Sequence, residues 1–158
     1  MPLREDFPDP RAYNEATARE LRETGDVTGD FAGRNILILT TTGAKTGRSH
    51  ETPLGYSVVR GRMMVSAGAG GADRHPAWFH NLVAEPVVRV EIADRAFAAR
   101  AVVTEGEEYA RLAEERLQFN AGFRRNSAKT TRKIPLIWLD PIEEPNPPLK
   151  HRVVEIPS

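Results

Sequence analysis

Between Ile36 and Leu139 the sequence sets short β-type runs against glycine or polar turns and leaves few places for a helix between them. A chain with that rhythm does not suit a doubly wound parallel sheet, in which each strand needs a crossover helix. It predicts a small antiparallel barrel. Ile36 to Thr41 is apolar without alternation and lies between Gly33 and Gly43, which predicts a central strand buried on both faces. Glu51 to Arg60 predicts a second strand, where Pro53 marks a local edge or bulge because proline has no N–H for a neighbour. Arg60-Gly61-Arg62 turns the chain into a third strand, Met63 to Ala67. Val88, Val90 and Ile92 alternate with Arg89 and Glu91 as in a half-buried strand, Asp94-Arg95 turns it into Phe97 to Thr104, and Ile134 to Leu139 supplies the last strand.

Helical segments sit around this pattern. After a Pro-rich lead (Pro2, Pro8, Pro10), Tyr13 to Arg22 reads as a short helix ended by Gly25. Its thin apolar face of Tyr13, Ala16 and Leu21 suits docking on the domain, with a membrane surface as the alternative. Pro76 opens a helix carrying Trp78 and Leu82 on one side, and Glu85-Pro86 stops it. Thr104 with Glu107 predicts a capping box for a helix whose core face is Tyr109, Leu112, Ala113 and Leu117. Arg111, Glu114, Glu115 and Arg116 then form a solvated face with helical ion pairs. A broken helical piece follows around Gly122. The fold expected is α+β, mainly β: a small antiparallel barrel of six or so strands flanked by three to four helices over residues 1–141. Residues 142–158 are expected to form a Pro-rich arm, with Val153 to Ile156 able to join an edge strand.

Charge and composition narrow the function. Lys and Arg number 22 against 22 for Asp and Glu in 158 residues, so no global field draws the chain onto nucleic acid, and no nucleic-acid partner is expected. The absence of cysteine excludes disulfides and thiolate catalysis and suits a reducing compartment, so a cytoplasmic location is expected. No stretch approaches the roughly 20 apolar residues of a membrane span. At most peripheral membrane contact is expected.

Two segments carry chemistry. Thr40-Thr41-Thr42-Gly43-Ala44-Lys45-Thr46-Gly47-Arg48 gathers hydroxyls, N–H groups and cations in a tight turn, which is either a solvated hairpin tip or a seat for a phosphate or carboxylate tail. It lacks P-loop spacing, and a proline-containing strand follows it instead of a helix. Ser66 to Asn81 is a glycine loop opening into the Trp78 helix. It offers backbone donors and an aromatic wall to a planar ring, unless Trp78 is simply core. His75 and His80 have no Cys or acidic companion at ligand spacing, so no metal site is expected. No Gly-x-Ser-x-Gly elbow or marked carboxylate pair supports hydrolysis.

Taken together, these segments resemble the deazaflavin-dependent nitroreductase family, the branch of split-barrel flavin and deazaflavin oxidoreductases that uses coenzyme F420 (8-hydroxy-5-deazaflavin). The resemblance covers roughly Asn14 to Pro141. It rests on Phe31-x-Gly33, Leu39 to Gly47, Thr52-Pro53-Leu54-x-Tyr56, Gly70-Gly71-Ala72, His75-Pro76-x-Trp78-x-x-Asn81-Leu82 and Ile134-Pro135 through Leu139-Asp140-Pro141. It implies an F420H2-dependent reductase that delivers hydride to a small organic acceptor, a quinone, enone or nitroaromatic, with quinones favoured. The implied tail contacts are Lys45 with Arg48 and Arg74 as neighbouring cations, and His50 is an implied cofactor contact beside them. Pro53, Leu54 and Tyr56 with Ala67, Gly68, Ala69 and Gly70 are implied to border the ring and Trp78 to close the site; Thr52, Ser66, His75 and Asn81 are further implied cofactor contacts, and the acceptor contacts are Phe119, Phe123 and Asn126. The chain departs from the family at Ala44 and His50, where arginines are common, and at Gly68-Ala69, where Ser-Lys is usual. These changes remove up to three contacts to an anionic tail. Phe119, Asn120, Phe123 and Asn126 replace tyrosines common in the family, which predicts a flatter or more apolar acceptor. No catalytic acid or base is required, because the hydride chemistry belongs to the cofactor. The rival expectations are an FMN oxidoreductase on the same barrel and a non-catalytic F420 carrier or redox sensor, and a homodimer is open in each case.

Overall fold

The apolar run Ile36 to Thr42 forms β1, and its two faces organise the molecule. Leu37 and Leu39 project into one apolar cluster and Ile36 and Ile38 into another, all 5% exposed or less. The computed structural model describes residues 9–93 and 95–142 and the backbone of 155–156. After β1 (Ile36–Thr42) come β2 (Ser49–Gly55), β3 (Ser57–Val59), β4 (Arg62–Ser66), β5 (Val87–Ile92), β6 (Arg95–Val103), β7 (Leu136–Pro141) and β8 (Glu155–Ile156). They form one sheet in the order β2-β1-β5-β6-β7-β4-β3-β8. Seven strands pair antiparallel; β8 alone joins in parallel, along β3, as an edge addition.

The expected second strand is in fact two. Only Tyr56 separates β2, at one end of the strand order, from β3, near the other. One stretch of chain therefore serves both ends of the sheet and curls it into a split barrel, since consecutive Cα atoms lie about 3.8 Å apart. At the break the Tyr56 N–H donates to the Asn35 carbonyl at 3.0 Å. Pro53 sits on β2, which among the described residues is an edge strand, where proline is tolerated. The barrel interior holds Leu37, Leu39, Val65, Val90, Phe97, Ala99, Ile137 and Leu139 with Trp78 and Leu82. Each large apolar side chain buried there contributes about 1.5–3 kcal/mol.

Among the described residues four α-helices close the outside: α1 (Pro10–Thr24), α2 (Ala77–Ala84), α3 (Gly106–Phe119) and α4 (Ala121–Lys129). Helix α1 outruns the expected Tyr13 to Arg22 because Asp9 Oδ1 accepts from Ala12 N at 2.8 Å and so caps the start. Its Ala18 and Leu21 pack on Ile36 and Ile38, so its apolar face is docked on the barrel. Arg22 fastens the helix there by donating Nε to Glu91 Oε2 at 2.7 Å and Nη2 to Glu91 Oε1 at 3.0 Å, with Glu51 as a further partner. No helix among the described residues is long and apolar enough to cross a membrane.

Helix α3 departs from expectation at both ends. The Thr104–Glu107 capping box does not form: Glu105 is the N-cap, and the buried Thr104 donates Oγ1 to the Leu136 carbonyl at 2.8 Å. The strand-to-helix junction thus draws the hydroxyl into the sheet. Along the helix, Leu112 is buried as expected, but Leu117 is 43% exposed while Arg116 is 3% exposed. Glu115 pairs with Arg60 across the fold at 3.1 Å rather than along its own helix. The segment around Gly122 is a continuous helix, α4, capped by Asn120 Oδ1 accepting from Phe123 N at 2.8 Å. It leans on the glycine loop after β4, where a Cβ at Gly71 would fall 2.7 Å from the Lys129 Cβ and 3.2 Å from the Asn126 carbonyl oxygen. The Pro-rich lead through Pro8, Asp94 and residues 143–154 lie outside the described residues.

Two stability outcomes follow. Arg22 holds the Glu91 carboxyl below its usual range, so this ion pair stabilises the fold above the ordinary carboxylate pKa and is lost as pH falls through the lowered value. Thermal melts should show Glu91→Gln less stable by about 1 kcal/mol at pH 7, with the gap to wild type shrinking as the pH falls below the ordinary carboxylate range. Gly71→Ala should cost about 2 kcal/mol or more by denaturant titration, because the φ of +87° and the Lys129 Cβ contact both oppose a side chain.

Candidate functional site

The cation-bearing turn after β1 and the helix that carries Trp78 meet in space. Asn81 of α2 accepts from Ala44 N at 3.0 Å and donates to Thr41 Oγ1 at 3.3 Å, so one side chain pins the turn to the helix. The turn is shaped from within by Gly43 N to the Arg48 carbonyl at 2.7 Å and Gly47 N to the Gly43 carbonyl at 2.9 Å. Lys45 and Arg48 are exposed there, with no ion-pair partner among the described residues. His50 begins β2 and is exposed.

Strand register sorts the next group. Pro53 lies opposite Ile38 and therefore faces α1, whereas Thr52 lies opposite Leu39 and Leu54 opposite Leu37, on the barrel side. Tyr56 is buried with that second set. Trp78, 8% exposed, packs in the barrel core, and its indole is not part of the wall of the large cleft described below.

The glycine loop runs from Ser66 to the start of α2. Ala69, Gly70 and Gly71 all have left-handed φ, at 48°, 65° and 87°. For Ala69 this conformation costs roughly 1 kcal/mol that glycine would not incur. Arg132, which the sequence pattern did not mark, straps the loop down. Its Nε donates to the Ala72 carbonyl at 3.0 Å, Nη1 to Ala67 at 3.2 Å and Nη2 to Gly68 at 3.1 Å. Nη1 also lies 2.7 Å from His75 Nδ1. Burial first, and then the Arg132 charge, hold His75 below its ordinary pKa, in keeping with a ring nitrogen that accepts this bond. Arg74 and Gly70 are exposed beside the strap. At Gly68 a Cβ would meet Asn126 Nδ2 at 2.6 Å, so the space a side chain would take there holds the Asn126 amide.

Between the outer face of β3 and β4, the segment leading into β1, and α3 and α4 opens a cleft of about 490 Å³. Small-molecule sites span roughly 300–1,000 Å³, so the cleft falls within their range. Of the sequence-predicted residues, Tyr56, Ser66 and Asn126 line it. Phe123 is 5% exposed and packs under it with Leu112, Ile134 and Trp138, whereas Phe119 is 58% exposed and turned to solvent. Arg34, Arg116, Asn120 and Arg125 also line the cleft. Sequence reasoning missed Arg116, because nothing local separates it from the charged residues beside it. Ser66 and the Gly68–Asn126 contact stand at one end of the glycine loop and Asn81, with the Lys45 turn, beyond the other, so the loop links cleft and turn. Among the described residues no three His, Asp or Glu side chains are grouped to hold a metal.

This arrangement can seat a planar ring in the cleft and offer cations to an acidic tail at the turn. The family model of the F420H(2)-dependent quinone reductases matches residues 12–141. An F420H(2)-dependent quinone reductase of Mycobacterium tuberculosis is 36% identical over 106 residues, 65% of this chain and 71% of the relative. A solved F420-H2 dependent reductase, FDR-A, superposes with a TM-score of 0.59 at 31% identity, covering 68% of this chain and 95% of that one. A further solved chain described as a domain-swapped dimer gives 0.60 at 31% identity, covering 80% and 95%. With its family model matched from the first helix through β7, on the barrel those relatives share, the chain belongs to the F420H(2)-dependent quinone reductase family.

Proposed function

We propose that this protein is an oxidoreductase that uses reduced coenzyme F420 to reduce a quinone. The cleft beside β3 and β4 takes the ring and the acceptor, and the Lys45 turn takes the anionic tail. The observation that carries the reading is the pairing of a 490 Å³ cleft, lined by Tyr56, Ser66 and Asn126, with an exposed lysine turn held by Asn81, joined by one glycine loop in a chain of this family. Bound reduced F420 supplies a hydride. The protein's part is position and electrostatics: Arg132 fixes the loop carbonyls, Asn126 fills the place beside Gly68, and Lys45 and Arg48 meet acidic groups at the turn. Tyr56, Ser66 and Asn126 bring hydroxyl and amide groups to the cleft, and the second proton of the product comes from water.

Pro53, turned under α1, touches a ring only through its backbone in this reading, and Trp78 supports the site as core. The cofactor is F420; family membership leaves the FMN alternative without support. A homodimer is in keeping with the relative described as a domain-swapped dimer, and a cytoplasmic location suits the absence of cysteine.

Fluorescence titration of the purified protein with F420 and with FMN, followed by menadione-dependent oxidation of reduced F420, tests the reading. Binding of F420 with turnover is expected. Tight FMN binding with none for F420 would overturn the cofactor, and F420 binding without turnover would make the protein a carrier. Lys45→Ala should raise the F420 dissociation constant about tenfold and leave the melting temperature unchanged, since an exposed loop lysine adds little packing.

A further inference from the structure

Arg116 on α3 is 3% exposed, and its Nε and Nη2 are buried without a hydrogen-bond partner. Burying an ionised group without a partner is costly, and burial lowers the pKa of Arg116 to about 10. The charges around it leave the cation unanswered. Glu115, the carboxylate that acts on it, is held by Arg60 through contacts of 3.1 and 3.2 Å. Asp30, on the cleft wall, is engaged with Tyr13. Arg34 and Arg125 add positive charge to the same wall. The residue belongs to the α3–α4 side of the cleft, where Asn120 and Asn126 also stand.

We propose that Arg116 is the anion-stabilising residue on the acceptor side of the cleft, holding the acceptor oxygen that takes up negative charge as hydride arrives. This rests on the functional reading above. A quinone that receives hydride gains two electrons and one proton. One oxygen then carries the negative charge until water supplies the second proton and the hydroquinone forms. A desolvated guanidinium whose Nε and Nη2 lack partners, turned from the cleft wall to the acceptor, stabilises that oxygen more than it does the neutral carbonyl, which is the difference that accelerates a reaction. The same cation gives the cleft affinity for planar aromatic anions.

The test has an arm that needs no cofactor. Apo-protein is titrated with 2-naphthoate, a planar carboxylate that takes no part in redox chemistry, and followed by tryptophan fluorescence. Arg116→Met should weaken naphthoate binding at least tenfold, lower kcat/KM for menadione about 100-fold, and leave the F420 dissociation constant within about twofold. Its melting temperature should hold or rise, because an apolar side chain replaces an unpaired buried charge. Arg111→Met, the same charge change on the exposed side of α3, should alter none of these. If Arg116→Met fails to fold, Arg116→Gln carries the test with the same expected loss of naphthoate binding and turnover. Equal naphthoate binding by wild type and variant overturns the proposal, as does a loss of F420 affinity in place of kcat/KM, or a lower melting temperature with turnover intact. A wild type that never oxidises reduced F420 sinks the functional reading instead, and the naphthoate titration still decides whether Arg116 is an anion site.

Discussion

Everything in the molecule is placed by the continuity of β2 and β3 through Tyr56. One strand that pairs with β1 in its first half and with β4 in its second forces a sheet of short strands to curl, and the curl makes an inside and an outside. The inside takes Leu37, Leu39, Val90 and Leu139 and becomes dry core. The outside is shared out: α1 covers Ile36 and Ile38, α3 and α4 cover Met64, Leu136 and Trp138, and the cleft opens where β3 and β4 emerge from under the helices. Tyr56 stands at the hinge of this arrangement and on the cleft wall, so closure of the barrel and shape of the site are one feature.

The second constraint is the close approach of α4 to the glycine loop. Gly68 and Gly71 let the helix come near enough for Asn126 and Lys129 to touch the loop, and Arg132, just past the helix, ties three loop carbonyls at once. A loop with three left-handed residues would sample many conformations on its own. Strapped in this way it becomes a fixed wall. The glycine at 68 is then coupled to Asn126, because the amide and a larger residue at 68 would compete for the same space.

Much of the fold was legible because its signals are local. The rise of glycine and turn residues between β-type runs marked six of the strand segments, Pro53 marked an edge, and Trp78 with Leu82 marked the buried face of α2. The errors share a cause as well. Thr104 read as a cap because hydroxyl and Glu107 have the right spacing, yet the Leu136 carbonyl across the sheet offered a better-placed acceptor. Leu117 read as core and Arg116 as surface because hydrophobicity was the only local guide, whereas the roll of α3 on β7 is set by distant contacts. At the site, Lys45, Asn81 and Ser66 stood in recognisable motifs, while Arg116 and Arg132 belong to none and take their meaning from what lies across from them.

The sequence by itself determined the barrel class, the turns, the absence of thiol chemistry and the family, since each depends on short-range stereochemistry or on ordered motifs. Only the tertiary structure decided which face of α3 is buried, that Pro53 and Leu54 look in opposite directions, that Trp78 is core, and that an unpaired guanidinium lines the cleft. Those outcomes depend on residues tens of positions apart meeting at distances of a few ångströms. No local pattern encodes where a helix comes to rest on a curled sheet.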